Sequence, residues 1–162
     1  MSNMMNEKSF AVLLTETQEV KLLSCNPEKE IFDIGREVIG CEWIELVRPE
    51  ALPHDDMVML IDEEGKLKDK CYINCIASHL YGSENHGDSI VGNAIIVKVS
   101  DEDLELMTEA EAKQLVTALE ESRAESIEKI SKAFGLRPIS KMNQEKAEKK
   151  NRQPCRRHTE ER

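Results

Sequence analysis

Cys71, Cys75 and His79 follow one another at intervals of four residues, with His86 further on. Thiols and imidazoles are the donors that zinc prefers, and on a helix this spacing puts the first three on one face. The distances oppose a shared ion. Positions i and i+8 lie ~12 Å apart along a helix, whereas Zn–S and Zn–N bonds are ~2.0–2.3 Å. The sequence therefore predicts no metal site, and cysteines that pack as small hydrophobes. Cys75 and His79 also make a nucleophile and base one turn apart, but no third group is placed to orient the imidazole. Gly-rich phosphate loops, Gly-x-Ser-x-Gly and His-Glu-x-x-His are absent from the chain. The expectation is a protein with no catalytic residues and no cofactor.

Asp62, Glu63 and Glu64 form a carboxylate cluster. Calcium takes six or more oxygen ligands, normally from a dedicated loop with spaced acidic residues, and no such loop is present. The plain reading is an acidic surface turn; the functional one is contact with an ion or a partner. Asn74 is a polar residue within an apolar helical segment. It either caps or hydrogen-bonds the neighbouring turn, or lines a pocket beside Asn93 and Tyr72. The candidate binding residues are thus Asp62, Glu63, Glu64, Tyr72, Asn74 and Asn93.

The elements that must position these residues are short. Phe10 to Leu14 and Val20 to Leu23 flank the polar Thr15–Gln18 and predict a hairpin. Asn26-Pro27-Glu28 predicts a helix start, followed by Ile31, Ile34 and Val38 at helical spacing and Gly40 as the stop. Gly35 inside that helix costs about 1 kcal/mol against Ala, so the helix must depend on packing. Glu42 to Val47 and Met57 to Ile61 predict strands, and Gly65 is expected to supply a positive φ in the turn between Asp62 and the next segment. Leu67 to Tyr72 suggests a short strand, Ile73 to Leu80 a short helix closed near Gly82, and Ser89 to Val99 the longest strand. Gly92 marks a bulge or a close backbone approach.

Thr108-Glu-Ala-Glu111 is a capping-box pattern. An apolar stripe from Ala112 to Phe134 follows, interrupted around Glu120 to Glu125. Water cannot satisfy that stripe. It must pack on the sheet, pair with a second copy or receive a partner helix. The predicted class is α+β: a small, mostly antiparallel sheet with two short helices over residues 9–100, then a C-terminal amphipathic helix over 101–135. Residues 136–162 read as a disordered basic tail.

The formal charge of −10 over 162 residues is unevenly spread. Residues 1–135 carry 13 Lys/Arg against 28 Asp/Glu, and residues 136–162 carry 9 against 4. The acidic body would repel a phosphate backbone, so nucleic acid could be held only weakly, through the tail. The tail's Gln153 to His158 lacks aromatics for base stacking. Aromatic residues are only 4% of the chain, so the core must rest on aliphatic side chains. Five cysteines form no disulfide framework. With no apolar run near the ~20 residues that span a bilayer, the expected location is the cytoplasm, with reduced thiols.

Three segments in order carry a family resemblance: Ile61-Asp62-Glu63-Glu64-Gly65-Lys66-Leu67, then Asn74-x-x-Ala77, then Asp88-x-Ile90-Val91-Gly92. They resemble the domain-of-unknown-function family numbered 3846, whose members show Asn-Glu-Glu-Gly-Lys-Leu, a later Asn followed by Ala, and Ile-Val-Gly entering a strand. Asp62 stands where Asn is usual. Upstream, Gly40 and Ile44-Glu45 resemble the family's Gly-Gly-x-Ile-Glu segment, with Cys41 replacing the second Gly. The resemblance covers residues 9–100. It implies a small accessory protein of phages, plasmids and conjugative elements in Gram-positive bacteria, and it supplies no catalytic residue or substrate.

The functional expectation is a non-enzymatic accessory protein of a phage or mobile element, cytoplasmic in a bacterial host, that binds a host or element protein. Contact would run through the acidic face or residues 108–134, the latter also a route to self-association. The alternative is sequestration of a nucleotide defence signal, which would require Arg48, Lys66, Lys68 or Lys70 to converge on a pocket. A nucleic-acid-associated regulator using the tail is a weaker alternative. No membrane partner is expected.

Overall fold

The computed structural model describes residues 8–52, 55–68, 72–101 and 103–136. Six strands form one antiparallel sheet: β1 (Ser9–Leu14), β2 (Val20–Cys25), β3 (Ile44–Val47), β4 (Met57–Asp62), β5 (Ala94–Ser100) and β6 (Asp103–Glu105). Their order is β2-β1-β5-β4-β3, with β6 paired to the end of β5. Period-2 alternation sorts the strand side chains into two layers. Val12, Leu14, Met59, Ile61 and Ile96 face one way, and Ala11, Val58, Leu60, Ile95 and Val97 the other. All six positions of β4 are buried, as expected of a strand covered on both faces.

Helix α1 (Ile31–Gly35) runs on into a π-helical turn, Arg36–Gly40, and covers the second face with Ile34, Val38 and Ile39. Helices α2 (Cys75–Tyr81) and α4 (Glu109–Glu121) cover the first face with Ile76, Ala77, Leu80, Ala112, Leu115 and Leu119. The one-turn α3 (Ser83–His86) follows α2, and α5 (Arg123–Phe134) packs across α2 through Ile130, Ile127 and Phe134, against Ile73, Cys75 and Val91. The C-terminal stripe is therefore covered by its own chain. Its predicted interruption is real: α4 ends and α5 begins at Ser122, which leaves the helical region with φ −101° and ψ 7°.

The α+β class, the hairpin and the capping box are as the sequence predicts, but several boundaries move. Asn26 does not cap a helix. Its Oδ1 accepts the Glu28 N–H at 2.9 Å in an isolated turn, and α1 starts five residues later. Residues 26–30 are all exposed, so no apolar face rewards a helix there. Ser89 to Gly92 is not strand. Gly92 turns the chain at φ +88°, and β5 begins only at Ala94. Gly65 is not at positive φ; it opens a 3₁₀ turn, Gly65–Leu67, which occupies the start of the expected Leu67 to Tyr72 strand. Residues 69–71 of that strand, Cys71 among them, lie outside the described residues, as does the tail beyond Leu136. Gly35 has a packing reason: a Cβ there would stand 3.3 Å from both Ile44 Cδ1 and Leu60 Cδ1, so its absence lets α1 sit close on the sheet.

The capping box yields a pH-dependent expectation. Glu111 Oε1 accepts the Thr108 N–H at 3.0 Å, and Oε2 accepts from Lys98 Nζ on β5 at 3.0 Å. The Thr108 N–H first, then Lys98, hold the Glu111 carboxyl below its ordinary value of 4.5. A depressed folded-state value means stabilisation present above 4.5 and lost as pH falls through the folded value. Glu111→Gln keeps a cap acceptor but cannot titrate. The wild type's excess stability over this variant, read from urea midpoints, is expected to shrink through that acidic window.

Candidate functional site

The family-like motif residues meet at the β3 edge of the sheet. A cleft of 310 Å³ is lined by Glu45 and Val47 of β3, Ile61 to Glu63 at the end of β4, Gly65 to Leu67, Tyr81, and Asp88 to Val91. Gly65 is required by a close approach, since a Cβ there would stand 3.0 Å from the Val91 carbonyl oxygen. The 3₁₀ turn and the segment 88–91 thus touch backbone to backbone. Lys66 Nζ and Asp88 Oδ1, 2.6 Å apart, join the two rims.

Asp62 is internal to this construction. Its Oδ1 accepts the Glu64 N–H at 2.9 Å, shaping the turn, and its Oδ2 pairs with Lys68 Nζ at 2.7 Å. Lys68 Nζ also donates to the Gly40 carbonyl at 3.0 Å, tying the turn to the end of the π-helical segment. Hydrogen bonding to Asp62 raises the Lys68 pKa despite partial burial. Glu63 and Glu64 are exposed, and the Glu63 N–H donates to the Trp43 carbonyl at 3.0 Å. The cleft is electronegative. Burial, then the carboxylates of Asp88, Glu45 and Glu50, push the Tyr81 hydroxyl up.

Asn74, Asn93 and Tyr72 come together elsewhere, around Gly92. Asn74 is fully buried and caps α2, its Oδ1 accepting the Ala77 N–H at 3.1 Å. Its Nδ2 donates to the carbonyls of Leu14 (2.9 Å) and Gly92 (2.8 Å), which commits both amide hydrogens. Asn93 Oδ1 accepts the Glu16 N–H at 2.9 Å, and the Tyr72 carbonyl accepts the Gly92 N–H at 3.0 Å. These three residues clamp the loop before β5 to the β1–β2 turn and to α2.

Sequence reasoning missed the other half of this clamp. Gln18 sits at φ +71° and is 1% exposed. Its Oε1 accepts the Cys75 N–H at 2.8 Å, and its Nε2 donates to the carbonyls of Ile73 (3.0 Å) and Glu16 (2.9 Å). The Gln18 carbonyl in turn accepts from Arg123 Nε on α5. Nothing local to Thr15–Gln18 announces this, because every partner except Glu16 is distant in sequence.

The Cys and His side chains have other partners. Burial pushes the Cys75 thiol up to about 12, and a hydrogen bond to Ser131 on α5 opposes that rise. His79 Nδ1 lies 2.7 Å from Glu84 Oε2, and His86 Nε2 lies 3.1 Å from the Tyr81 carbonyl. The Cys75 thiol is thus engaged by Ser131, while the His79 ring has a carboxylate neighbour, Glu84, that local sequence did not announce. Among the described residues, no group of three His, Cys, Asp or Glu side chains could hold a metal ion. No helix of the described residues is long and apolar enough to cross a membrane.

These features define a small α+β protein with one antiparallel sheet, helices on both faces, and an acidic cleft where the sheet ends at β3. Residues 12–120 match the family described as Domain of unknown function (DUF3846), and the chain belongs to that family. The matched region runs from β1 into α4 and contains every residue that lines the cleft. No curated protein and no solved structure matches the chain.

Proposed function

We propose that this protein is a non-enzymatic accessory factor of a phage or other mobile element, working in the cytoplasm of its bacterial host by binding another protein. The observation that carries this reading is large apolar side chains left exposed, on both faces, where the sheet ends. Trp43 is 58% exposed, Leu46 44% and Leu67 68%, on and beside an edge strand. Large side chains grouped next to an open strand are a feature of protein contact rather than of a solvated surface. The genetic setting comes from the family resemblance.

Sequestration of a nucleotide has less support. Arg48 donates to the Asp55 backbone carbonyl, Lys66 pairs with Asp88, and Lys68 pairs with Asp62, so these cations are turned to separate partners. Lys70 and the basic tail lie outside the described residues.

Native mass spectrometry of untagged protein from a bacterial cytosol tests the reading. A retained polypeptide is the expected result, and it should survive deletion of residues 136–162. A retained mass of nucleotide size would favour the alternative, and binding lost with residues 136–162 would move the function to the tail.

A further inference from the structure

The β3 edge is open in a specific way. The Glu63 N–H bonds to the Trp43 carbonyl, and the register then pairs Glu45 with Ile61 and Val47 with Met59. Hydrogen bonding alternates along an antiparallel pair, so Trp43, Glu45 and Val47 bond inward to β4 while Ile44 and Leu46 turn their N–H and C=O groups outward. Those outward groups have no hydrogen-bond partner among the described residues. At one end of the strand Arg36 Nε already takes the Glu42 carbonyl at 3.1 Å, which limits the open stretch to Ile44 through Val47. No lysine or proline stands within those four residues, and Glu45 is their one charge.

What fits this edge follows from its charge. In a two-fold pairing of β3 with β3 of a second copy that uses the outward groups of Ile44 and Leu46, Glu45 would face Glu45. Like charges directly opposite each other destabilise a strand pair. A residue facing Glu45 also points to the cleft side of the sheet, where Glu63 adds negative charge, Asp88 being paired with Lys66, and Trp43, two residues earlier on the same face, offers an aromatic surface to a cation.

We infer that β3 receives an extended segment of a partner protein as an added strand, with a Lys or Arg facing Glu45 at the mouth of the acidic cleft and apolar residues covering Leu46 on the other face. Main-chain hydrogen bonds from Ile44 and Leu46 hold the segment, and the alternate side chains select it. This rests on the protein-binding reading above and names its site.

Trp43 is the sole tryptophan, so its fluorescence reports on this edge directly. The probe is an eight-residue peptide of alternating Lys and Val, titrated into the full chain at low salt, with an alternating Glu and Val peptide as the control. The expected result is a Trp43 emission change with the Lys peptide alone and slowed amide exchange at Ile44 and Leu46. Affinity should fall at least tenfold when the peptide's pairing amides are N-methylated, and Glu45→Lys should reverse the preference towards the Glu peptide. Leu46→Pro removes an outward N–H and no bond to β4, a change an edge strand tolerates, and should abolish binding while leaving the melting temperature near that of wild type.

No response to either peptide, protection away from β3, or insensitivity to both variants overturns the inference. So does a dimer whose protected amides are Ile44 and Leu46, or a gain in peptide affinity on deleting residues 136–162, which would make the chain's own tail the occupant. The same variants in the mass-spectrometry experiment separate the two proposals. A polypeptide held equally by wild type, Glu45→Lys and Leu46→Pro keeps the protein-binding function and rejects this site. The absence of any held polypeptide rejects the function, while the peptide titration still decides the edge.

Discussion

Asn74→Ala is expected to destabilise the protein by about 2–4 kcal/mol, the range for losing several buried hydrogen bonds at once. The carbonyls of Leu14 and Gly92 and the Ala77 N–H all lose their side-chain partner, at a position with no exposure to water. Urea unfolding should show a lower midpoint at unchanged slope, since the surface exposed on unfolding is the same. Asn74→Asp separates the two roles of the side chain. It keeps the cap acceptor but turns a carboxylate towards two carbonyl oxygens, so it should be worse than Ala at neutral pH. Burial raises the folded-state pKa of such an Asp, and its penalty relative to wild type should recede as pH falls and the protonated acid regains a donor. A change within about 0.5 kcal/mol for Asn74→Ala, the range of ordinary surface substitutions, would rule out the clamp.

Ile130→Ala should cost about 2–5 kcal/mol in the contacts that seat α5, as for other fully buried aliphatic truncations. Ile130 is 0% exposed and meets Ile73, Cys75 and Val91. Because α5 packs on α2 and not on the sheet, the loss should be local first. Amide exchange in α5 should accelerate well before that of β4 and β5, whose bonds lie in the centre of the molecule. Uniform acceleration across all elements would mean that α5 and the sheet unfold as one unit.

What could be read from the sequence follows from the range of the forces involved. The hairpin, β4, the Asn74 helix and the capping box are specified by neighbours within a few residues, and they stand where periodicity and turn chemistry put them. Boundaries set by distant partners were not legible. The Ser89 to Val99 segment looks like continuous strand, yet Ile90 and Gly92 bond to Asn74, Ser78 and Tyr72, and the sheet captures the chain only from Ala94. Gly65 was rightly singled out for the wrong cause: the constraint is the Val91 carbonyl, 26 positions away, and not its own dihedral. Of the candidate site residues, Asp62 and Glu63 line the cleft, while Asn74 does the capping that its helical neighbours suggest. Glu45 and Asp88 stand in family-like segments and Tyr81 in none, yet nothing local says that they share a cleft, because separate segments of the chain converge to make it.

The strand order has a consequence for how the protein is made. β1 and β2 are adjacent in the chain, as are β3 and β4, so each pair can close early over a short loop. The seam between the two halves is β5, which pairs with β1 on one side and β4 on the other, Ile96 standing opposite both Val12 and Met59. A nascent polypeptide that has not yet reached Ala94 holds two separate ribbons, each with a raw inner margin. Loop closure over long separations is slow, so the arrival of β5 is the step that turns those ribbons into one body. During that interval the inner margins of β1 and β4 are the surfaces a chaperone would have to shield.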